Sequence, residues 1–305
     1  PLFARAAKKI IVDIDSAELN KPSLKPDLPI QADAREFMVE LLAQLKNAQP
    51  FEISDWLKRC QGWKLKYPVV LPEYKECKDA VNSFYFIGTL SEKLDKNAVI
   101  VTDMGTSFTC TMQTFKTKSG QRLSTSSGHA SMGFGLPGAI GACIGNNRKD
   151  TICISGDGGL QMNIQELQTI VHYNLPIKLF VLNNNGYLTI KATQQNHFGR
   201  FVGAEQSSGV TCPDIIKIST AYGLPNVRIA NTEELNFKID SVLNTVGPIV
   251  CEIVMEENQP LIPRVSSLKK PDGTIISKPI EDLYPFLSRE EFKGNMIVDP
   301  TEILS

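Results

Sequence analysis

Three groups of small, oxygen-bearing residues each follow a short apolar run of the sequence. Asp103-Met104-Gly105 follows AVIVT, Gly156-Asp157-Gly158-Gly159 follows TICIS, and Asn183-Asn184-Asn185-Gly186 follows IKLFVL. The carboxylate of Asp157, the amide oxygen of Asn184 and one backbone carbonyl would make an all-oxygen, singly charged half-shell. Such a half-shell suits Mg²⁺, which prefers oxygen ligands and is usually completed by substrate phosphates and water. We therefore expect a magnesium site that a diphosphate completes.

Each of these motifs also has a purely structural interpretation. A lone G-D-G is most often a turn, and Asn-Asn-Asn-Gly is a common turn as well. Their placement directly after two buried runs, one helix and one strand apart, favours a shared site instead. The glycines beside Asp157 let backbone N–H groups approach a phosphate, and we expect a helix that begins near Asn163 to direct its positive end there.

The elements that must position these groups form a regular pattern. Continuous apolar runs at 98–103, 151–157, 177–183 and 248–254 are typical of strands buried on both faces. Helical stretches alternate with them, which predicts an α/β fold in which a parallel sheet carries helices on both faces. Ligands of such sheets bind at the carboxyl ends of the strands. The predicted helices cover residues 79–94, 135–145, 163–173, 213–222 and 232–244.

The remaining segments predict the domain organisation. Residues 1–48 contain one strand (8–15) and one helix (33–45), which cannot enclose a core and are interpreted as the remnant of another domain. Residues 49–72 lack a sustained period and are interpreted as a linker. Residues 73–260 form the main domain, and residues 261–305 are a tail that packs on it. Because the chain begins with Pro1, we expect a fragment or a processed product.

Composition excludes several classes of function. The sequence has 32 basic and 33 acidic residues without a long run of one sign, so we expect no nucleic-acid or membrane partner. Seven scattered cysteines without C-x-x-C spacing argue against a zinc site or a disulfide framework. They indicate thiols in a reducing compartment, and no apolar segment is long enough to span a membrane. The expected location is the cytoplasm.

One motif points to a different cofactor. Residues 133–138 (GFGLPG) match the dinucleotide fingerprint G-x-G-x-x-G, and Asp157 lies at about the distance of its ribose-binding acid. The strand that should precede the fingerprint is missing, because SSGHASM is small and polar. An NAD-dependent dehydrogenase is therefore the weakest hypothesis. We expect instead a helix whose small residues approach the sheet or another subunit closely.

Longer motifs carry a resemblance to a known family. GDG followed by NN, M-N-x-Q-E-L-x-T-I after GDG, N-L-P-I-K before the second strand and S-M-G-F-G-L-P earlier in the chain resemble the acetolactate synthase family of thiamine diphosphate enzymes. The resemblance covers essentially the whole chain. IIVDIDSAELNK and PDLPIQADA resemble the end of that family's central domain, and residues after about 73 resemble its C-terminal, diphosphate-binding domain. The implied fold is the thiamine diphosphate-binding fold.

The resemblance implies roles for individual residues. Asp157 and Asn184 would bind Mg²⁺ through side chains and Gly186 through its carbonyl group. Met132 would support the bent cofactor, although a core methionine is the structural alternative, and the carbonyl of Ala130 would accept from the aminopyrimidine. The implied cofactor-binding residues are Met104, Gly105, Thr106, Ser107, Ala130, Met132, Gly156, Asp157, Gly158, Gly159, Asn184, Gly186 and Tyr187.

The resemblance also implies an activity. The chain would be the C-terminal part of a thiamine diphosphate- and Mg²⁺-dependent carboligase or decarboxylase of 2-oxo acids, with pyruvate as donor and a second 2-oxo acid or a keto-sugar as acceptor. The activating glutamate would come from the N-terminal domain of another subunit of a homodimer or homotetramer. No catalytic residue is then expected in this chain, which would be inactive alone. FAD binding by the full-length protein stays open.

The sequence departs from the family pattern at two places. Thr106-Ser107 stand where synthases usually have Gln-His, and Thr193 lies near the place of a tryptophan that shapes their acceptor pocket. A more polar pocket is implied, and with the EDLYP segment (281–285) it resembles carboligases that use keto-sugars. His172 is expected to be structural, His129 is open between the two interpretations, and for His197 substrate contact is the minority interpretation. A non-catalytic diphosphate-binding or oligomerisation module is the main alternative function.

Overall fold

The computed structural model describes residues 3–269 and 272–299 and divides into two compact units. One unit contains the residues up to Tyr67 together with those from Ile262 onwards, and the other is Pro68–Leu261. The strands are β1 (Ile10–Asp13), β2 (Leu28–Gln31), β3 (Val99–Thr102), β4 (Arg122–Ser124), β5 (Thr151–Gly156), β6 (Ile177–Asn183), β7 (Asn226–Ile229), β8 (Ile249–Val254), β9 (Ser267–Lys269) and β10 (Ile275–Ser277).

The α-helices alternate with these strands in the larger unit. They are α1 (Ser16–Leu19), α2 (Ala34–Leu45), α3 (Ser54–Lys66), α4 (Ser83–Lys93), α5 (Thr106–Thr114), α6 (Gly135–Gly145), α7 (Asp157–Gln161), α8 (Glu166–Tyr173), α9 (Leu188–Phe198), α10 (Ile215–Ala221), α11 (Thr232–Asn244) and α12 (Arg289–Asn295). Two 3₁₀ turns, Pro72–Lys75 and Gln206–Ser208, complete the regular structure of the described part. Within that part, no helix is both long and apolar enough to cross a membrane.

The smaller unit contains more structure than the sequence predicts. The predicted strand and helix are present as β1 and α2, but β2 is an additional strand that pairs in parallel with β1. Pro29 within β2 hides this strand from sequence patterns, since proline is rare in strands except at sheet edges. The tail contributes the antiparallel pair β9 and β10 and the helix α12.

The predicted linker at 49–72 contains a helix that the sequence pattern did not predict. Residues Ser54–Lys66 form helix α3, in which Trp56 and Trp63 meet edge to face with ring centroids 5.7 Å apart. Polar contacts hold this helix to the tail: the Trp63 indole donates to Asn295 (2.9 Å), and the Tyr67 hydroxyl donates to Glu291 (2.7 Å). These partners lie more than 200 residues away, so local periodicity carries no signal of them.

The tail also differs from its predicted place. Residues from Ile262 onwards belong to the same compact unit as the residues up to Tyr67, whereas the sequence analysis assigns 261–305 to the surface of the main domain. Arg5 pairs with Glu281 at 2.7 Å, which is one of the contacts that join the two ends of the chain within this unit. Residues 270–271 and 300–305 of the predicted tail lie outside the described residues.

The larger unit confirms the predicted fold class. Its six strands are all parallel and follow the order β4-β3-β5-β6-β8-β7. From β3 the chain moves outward to β4 and then returns to the other side of β3 as β5. The winding direction therefore reverses between β3 and β5, and a crevice at the carboxyl ends of these strands is the usual ligand site of an open α/β sheet.

Helices cover both faces of this sheet, as predicted. Successive residues of each strand point to opposite faces, and two separate apolar clusters result. One cluster joins α4 and α11 to residues such as Ile154 and Phe180, and the other joins α6, α8 and α10 to residues such as Cys153 and Leu179. Because both faces are buried, the strands read as continuous apolar runs.

Candidate functional site at the carboxyl ends of the strands

A cavity of about 220 Å³ lies at the carboxyl ends of β3, β5 and β6. Twelve of the thirteen predicted cofactor residues line it, although they come from four separated segments of the chain. Ser107 is the exception: it is fully buried, and its hydroxyl donates to the carbonyl of Met104 at 3.0 Å. The lining residues are Met104, Gly105, Thr106, Ala130, Met132, Gly156, Asp157, Gly158, Gly159, Asn184, Gly186, Tyr187, Leu188, Thr189 and Ile190.

Asp157 is the buried carboxylate of this cavity, with only 1% of its surface exposed. One carboxylate oxygen accepts from the Gly158 N–H (2.8 Å) and the other from the Gly186 N–H (3.0 Å). Burial raises the pKa of Asp157 to about 6, and these backbone donors only partly offset the effect. A cation beside the group would favour its charged form, because opposite charge lowers the pKa of a carboxyl group.

Asn184 and Gly186 lie beside Asp157 on the loop after β6. Strands β5 and β6 pair up to Gly156 and Leu182, which confirms that the two predicted ligand segments end side by side. Asn184 is 5% exposed, and its side-chain N–H donates to the Gly186 carbonyl at 3.1 Å. Gly186 has φ +153, and a Cβ atom there would lie 2.5 Å from the Ala204 carbonyl oxygen, so only glycine fits.

This donor set fits Mg²⁺. Asp157 supplies carboxylate oxygens, Asn184 an amide oxygen and Gly186 a carbonyl oxygen, all within one loop pair, and hard cations prefer such ligands. The described residues hold no group of three or more His, Cys, Asp or Glu side chains that could bind a metal. A cation at this site would therefore have one charged ligand, Asp157. Other oxygen ligands would fill its remaining coordination positions.

The two glycines after Asp157 allow close approach to the cavity. They lie in the first turn of α7, which begins at Asp157 itself. The predicted helix start near Asn163 is therefore wrong: the segment contains two helices, and α8 begins only at Glu166. A Cβ atom on Gly158 would lie 2.3 Å from the ring of Tyr187, so this ring can pack on the backbone only because residue 158 is glycine.

Asp103 has a positioning role that the sequence analysis does not assign. This buried carboxylate accepts from the N–H groups of Met104 (2.8 Å) and Gly133 (2.9 Å) and from the Ser155 hydroxyl (2.8 Å). It thereby joins the loop after β3, the Met132 loop and the end of β5. The sequence signal for this role was the position of Asp103, directly after a buried strand and before Met-Gly.

Ala130 and Met132 lie on the segment before α6. Ala130 has φ +54, a left-handed conformation that costs free energy for alanine and often accompanies functional sites. Met132 is 37% exposed and lines the cavity, which does not fit a core methionine. No strand runs into residues 133–138, since β4 ends at Ser124, so the context of a dinucleotide fingerprint is absent from this described segment.

Three lining residues, Leu188, Thr189 and Ile190, were not predicted. They form the start of α9, directly after Tyr187. The other candidates lie elsewhere: the side chains of His129, His172 and His197 are exposed and do not line the cavity. Thr193, expected near an acceptor pocket, is exposed and donates to the carbonyl of Thr189 at 2.9 Å.

Cys212 is a further neighbour of Asp157 that the sequence analysis missed. Burial first, and then the Asp157 carboxylate, raise the pKa of this thiol to about 12, so it stays protonated. Its hydrogen bond to Asp157 in turn lowers the pKa of the carboxyl group. The Gln161 amide donates to the sulfur at 3.3 Å. The thiol therefore contributes a hydrogen bond to the carboxylate and not a nucleophile.

Sequence comparison with known proteins points to the same family as the motifs. Residues 103–253 match the profile described as "Thiamine pyrophosphate enzyme, C-terminal TPP binding domain". The chain is 34% identical over 282 residues to the acetolactate synthase large subunit of Pyropia yezoensis, covering 91% of this chain and 46% of that protein. The corresponding protein of Cyanidium caldarium is 33% identical over 269 residues, covering 87% and 45%.

A third relative, acetolactate synthase 1, chloroplastic, of Nicotiana tabacum, is 31% identical over 274 residues, covering 87% of this chain and 40% of its own. The chain therefore spans about half the length of the curated relatives it matches. The matched profile begins at Asp103 and ends within β8, so it contains the whole cavity. The chain belongs to the acetolactate synthase family of thiamine diphosphate enzymes and contains the C-terminal domain that binds this cofactor in the family.

Proposed function

We propose that this chain binds thiamine diphosphate and Mg²⁺ in the cavity and forms the C-terminal part of a carboligase or decarboxylase of 2-oxo acids. The observation that carries the proposal is the buried Asp157, which lines one cavity together with eleven other cofactor residues named from the sequence. Burial raises the pKa of the Asp157 carboxyl group, and a bound cation would stabilise its charged form. A diphosphate would supply the oxygen ligands that Asp157, Asn184 and Gly186 leave open.

Individual residues would divide the work of binding. Asp157, Asn184 and Gly186 would hold Mg²⁺, and the N–H group of Gly159 would donate to the diphosphate. The Gly158 N–H, which was expected to do the same, donates to the Asp157 carboxylate instead. Ala130 would accept through its carbonyl, and Met132 would support the ring system from an exposed position in the cavity wall. When bound, the cofactor supplies the electron sink for decarboxylation, while the protein positions it and excludes water.

The substrate assignment is part of the proposal. We propose pyruvate as the donor and a second 2-oxo acid or a keto-sugar as the acceptor. Leu188, Thr189 and Ile190 form the cavity wall beside Tyr187 and make it mainly apolar there, whereas Thr193 is exposed and outside the cavity. The polar acceptor pocket inferred from Thr193 therefore has no support in the cavity lining of the described chain.

We also propose the setting in which the site works. A glutamate from the N-terminal domain of a second subunit would activate the cofactor, so the assembly would be a homodimer or homotetramer and this chain alone would be inactive. Asp157, which lines the cavity, and the buried Asp103 both accept hydrogen bonds from the chain's own backbone. All seven cysteines are free thiols, which supports a reducing location such as the cytoplasm.

Titration of the 305-residue chain tests the cation and cofactor sites directly. Mn²⁺ replaces Mg²⁺ so that bound metal can be followed by electron paramagnetic resonance, with thiamine diphosphate present. Asp157→Asn keeps the shape of the side chain and removes its charge, and we expect metal affinity to fall by more than about 100-fold. Asp240→Asn, which removes an exposed ion pair with Lys93 in the same unit, is the matched control.

Unchanged metal affinity in a folded Asp157→Asn variant would overturn the metal assignment. The activity is tested separately in the complete protein that contains this chain, by CO₂ release from pyruvate. Product formation with a panel of 2-oxo acids and keto-sugars then identifies the acceptor. Cofactor binding without CO₂ release would favour the non-catalytic module instead.

A further inference from the structure

A chain of polar contacts connects the buried Glu252 to the residue that precedes the loop of Asn184 and Gly186. Asn183, the last residue of β6, donates from its side-chain N–H to Glu252 at 2.6 Å. Glu252 lies on β8, is 2% exposed, and accepts with its other oxygen from Arg228 of β7 at 2.5 Å. None of these three residues is among the predicted cofactor-binding or metal-binding residues.

We propose that Glu252, supported by Arg228, acts as a positioning residue that orients the cation-binding loop through Asn183. This role rests on the proposed function, because orienting the loop matters for binding only if Asn184 and Gly186 bind a cation. We call Asn183, Glu252 and Arg228 the Asn183 relay.

An amide side chain has a donor end and an acceptor end, so its hydrogen-bond partners decide its orientation. The Asn183 amide can face Glu252 with either its oxygen or its nitrogen, and an ionised carboxylate only accepts hydrogen bonds. Glu252 therefore holds the side-chain nitrogen of Asn183 towards itself. The side-chain oxygen of Asn183 then faces the Asn185 N–H and accepts from it at 3.1 Å. That hydrogen bond closes the turn that contains Asn184 and directly precedes Gly186.

Arg228 completes the relay by balancing a buried charge. It is the cross-strand neighbour of Glu252 in the β7–β8 pairing, and its guanidinium also lies 3.7 Å from Asp214. The partner carboxylate raises the pKa of Arg228, in agreement with a stable ion pair. Outer contacts of this kind orient metal ligands, and their loss typically weakens metal binding.

The test measures the Kd for Mn²⁺, in the presence of thiamine diphosphate, in the 305-residue chain and its variants. Glu252→Gln keeps the shape of the side chain, but Arg228 only donates and therefore holds the new amide oxygen. The amide nitrogen then faces Asn183, which loses the acceptor that fixes its orientation. We expect Mn²⁺ affinity to fall about 10-fold in Glu252→Gln and in Asn183→Ala. Arg228→Met should weaken binding less, and Arg228→Lys, which keeps the charge, should restore most of the affinity.

A matched control separates positioning from general stability. Lys178 lies at the opposite end of the same strand, is 1% exposed, and donates to the carbonyl groups of Thr245 and Gly247. Lys178→Met should lower the thermal midpoint and leave the Kd for Mn²⁺ unchanged. An unchanged Kd in both Glu252→Gln and Asn183→Ala would overturn the relay, as would an equal weakening in Lys178→Met.

The outcomes also separate this inference from the proposed function. A wild-type chain that binds no Mn²⁺ would overturn the proposed cation site and, with it, the purpose of the relay. A wild-type chain that binds Mn²⁺ while the relay variants bind it equally well would overturn the relay alone. Because Glu252→Gln changes one atom of a buried side chain, Arg228→Met offers a second route if that variant does not fold.

Discussion

Asp157 is a carboxylate whose burial outweighs the hydrogen bonds that stabilise its charged form. Backbone N–H groups bind both carboxylate oxygens, yet burial dominates and raises the pKa of the group to about 6. The sequence located this residue, because a carboxylate directly after a buried run must lie at the sheet edge. Its degree of burial could not be predicted, since it depends on Tyr187, Gly186 and Cys212 folding over it.

The raised pKa predicts how stability depends on pH in the metal-free chain. The folded pKa lies near 6 and the ordinary value near 3.8, so between these values the folded state binds more protons than the unfolded state. The free energy of unfolding therefore decreases as pH rises through this window, by up to about 3 kcal/mol from this group. We expect Asp157→Asn to lack that decrease.

Urea unfolding with a chelator present, at about pH 4.5 and about pH 7.5, measures this effect. The quantity of interest is the difference in unfolding free energy between the two pH values, compared between the wild type and Asp157→Asn. Taking this difference cancels the contributions of the other carboxyl groups. An identical pH dependence in both proteins would contradict the raised pKa.

Some residues of the site could be named from the sequence, and others could not. The glycines, Asp157 and Asn184 could be named because their types and their positions after strands limit the alternatives. Leu188 and Ile190 could not be named, because apolar residues at the start of a helix look like core residues. Ser107 shares a motif with Thr106, but the first turn of α5 rotates the two side chains apart and buries that of Ser107.

At the scale of elements, length and burial decided which predictions were confirmed. The four continuous apolar runs are β3, β5, β6 and β8, and α6 begins and ends at the predicted residues. Strands β4 and β7 were missed because they are short sheet edges that are partly exposed. Helices α5, α7 and α9 were missed because they contain threonines, glycines or polar residues where an apolar stripe would be expected.

The contact between α7 and the loop after β6 gives a prediction at this scale. In Gly158→Ala the new methyl group would overlap the Tyr187 ring, so the first turn of α7 and the loop must separate. We expect a loss of about 1–3 kcal/mol of stability and weaker binding of thiamine diphosphate. Replacing the ring as well, in Gly158→Ala with Tyr187→Ala, should recover part of the stability.

Gly156→Ala is the matched control for this substitution. Gly156 also lines the cavity, but its backbone has φ −89, and a Cβ atom there would have no atom within 4 Å. Thermal unfolding compares the stability of all three variants, and calorimetric titration compares Gly158→Ala with the double variant, because Gly156 itself lines the cavity. Equal effects of Gly156→Ala and Gly158→Ala would contradict the steric explanation.

At the scale of the whole molecule, the chain consists of two compact units, and the cavity belongs entirely to one of them. Both apolar clusters and every lining residue lie within Pro68–Leu261. The sequence predicted a main domain at 73–260 from its regular alternation of strands and helices. It did not predict that the two ends of the chain share a unit, because pairs such as Trp63 and Asn295 are distant and carry no local pattern.

Residues 68–261 should therefore fold without the rest of the chain. We expect this segment to unfold in one cooperative transition and to bind Mn²⁺ and thiamine diphosphate with the affinity of the 305-residue chain. Circular dichroism during heating and the same metal titration measure the two properties. A segment that is unfolded, or one that is folded but has lost its metal affinity, would show that the other unit contributes to the site.

The reversal of winding between β3 and β5 has a thermodynamic consequence. The cavity takes its walls from segments that meet only when the sheet is complete, so the unfolded chain contains no equivalent site. Any molecule that binds there must shift the folding equilibrium by mass action, by about 2.7 kcal/mol at a free concentration 100 times its Kd. The concentration of free ligand around the protein would then help to set the fraction of the protein that is folded.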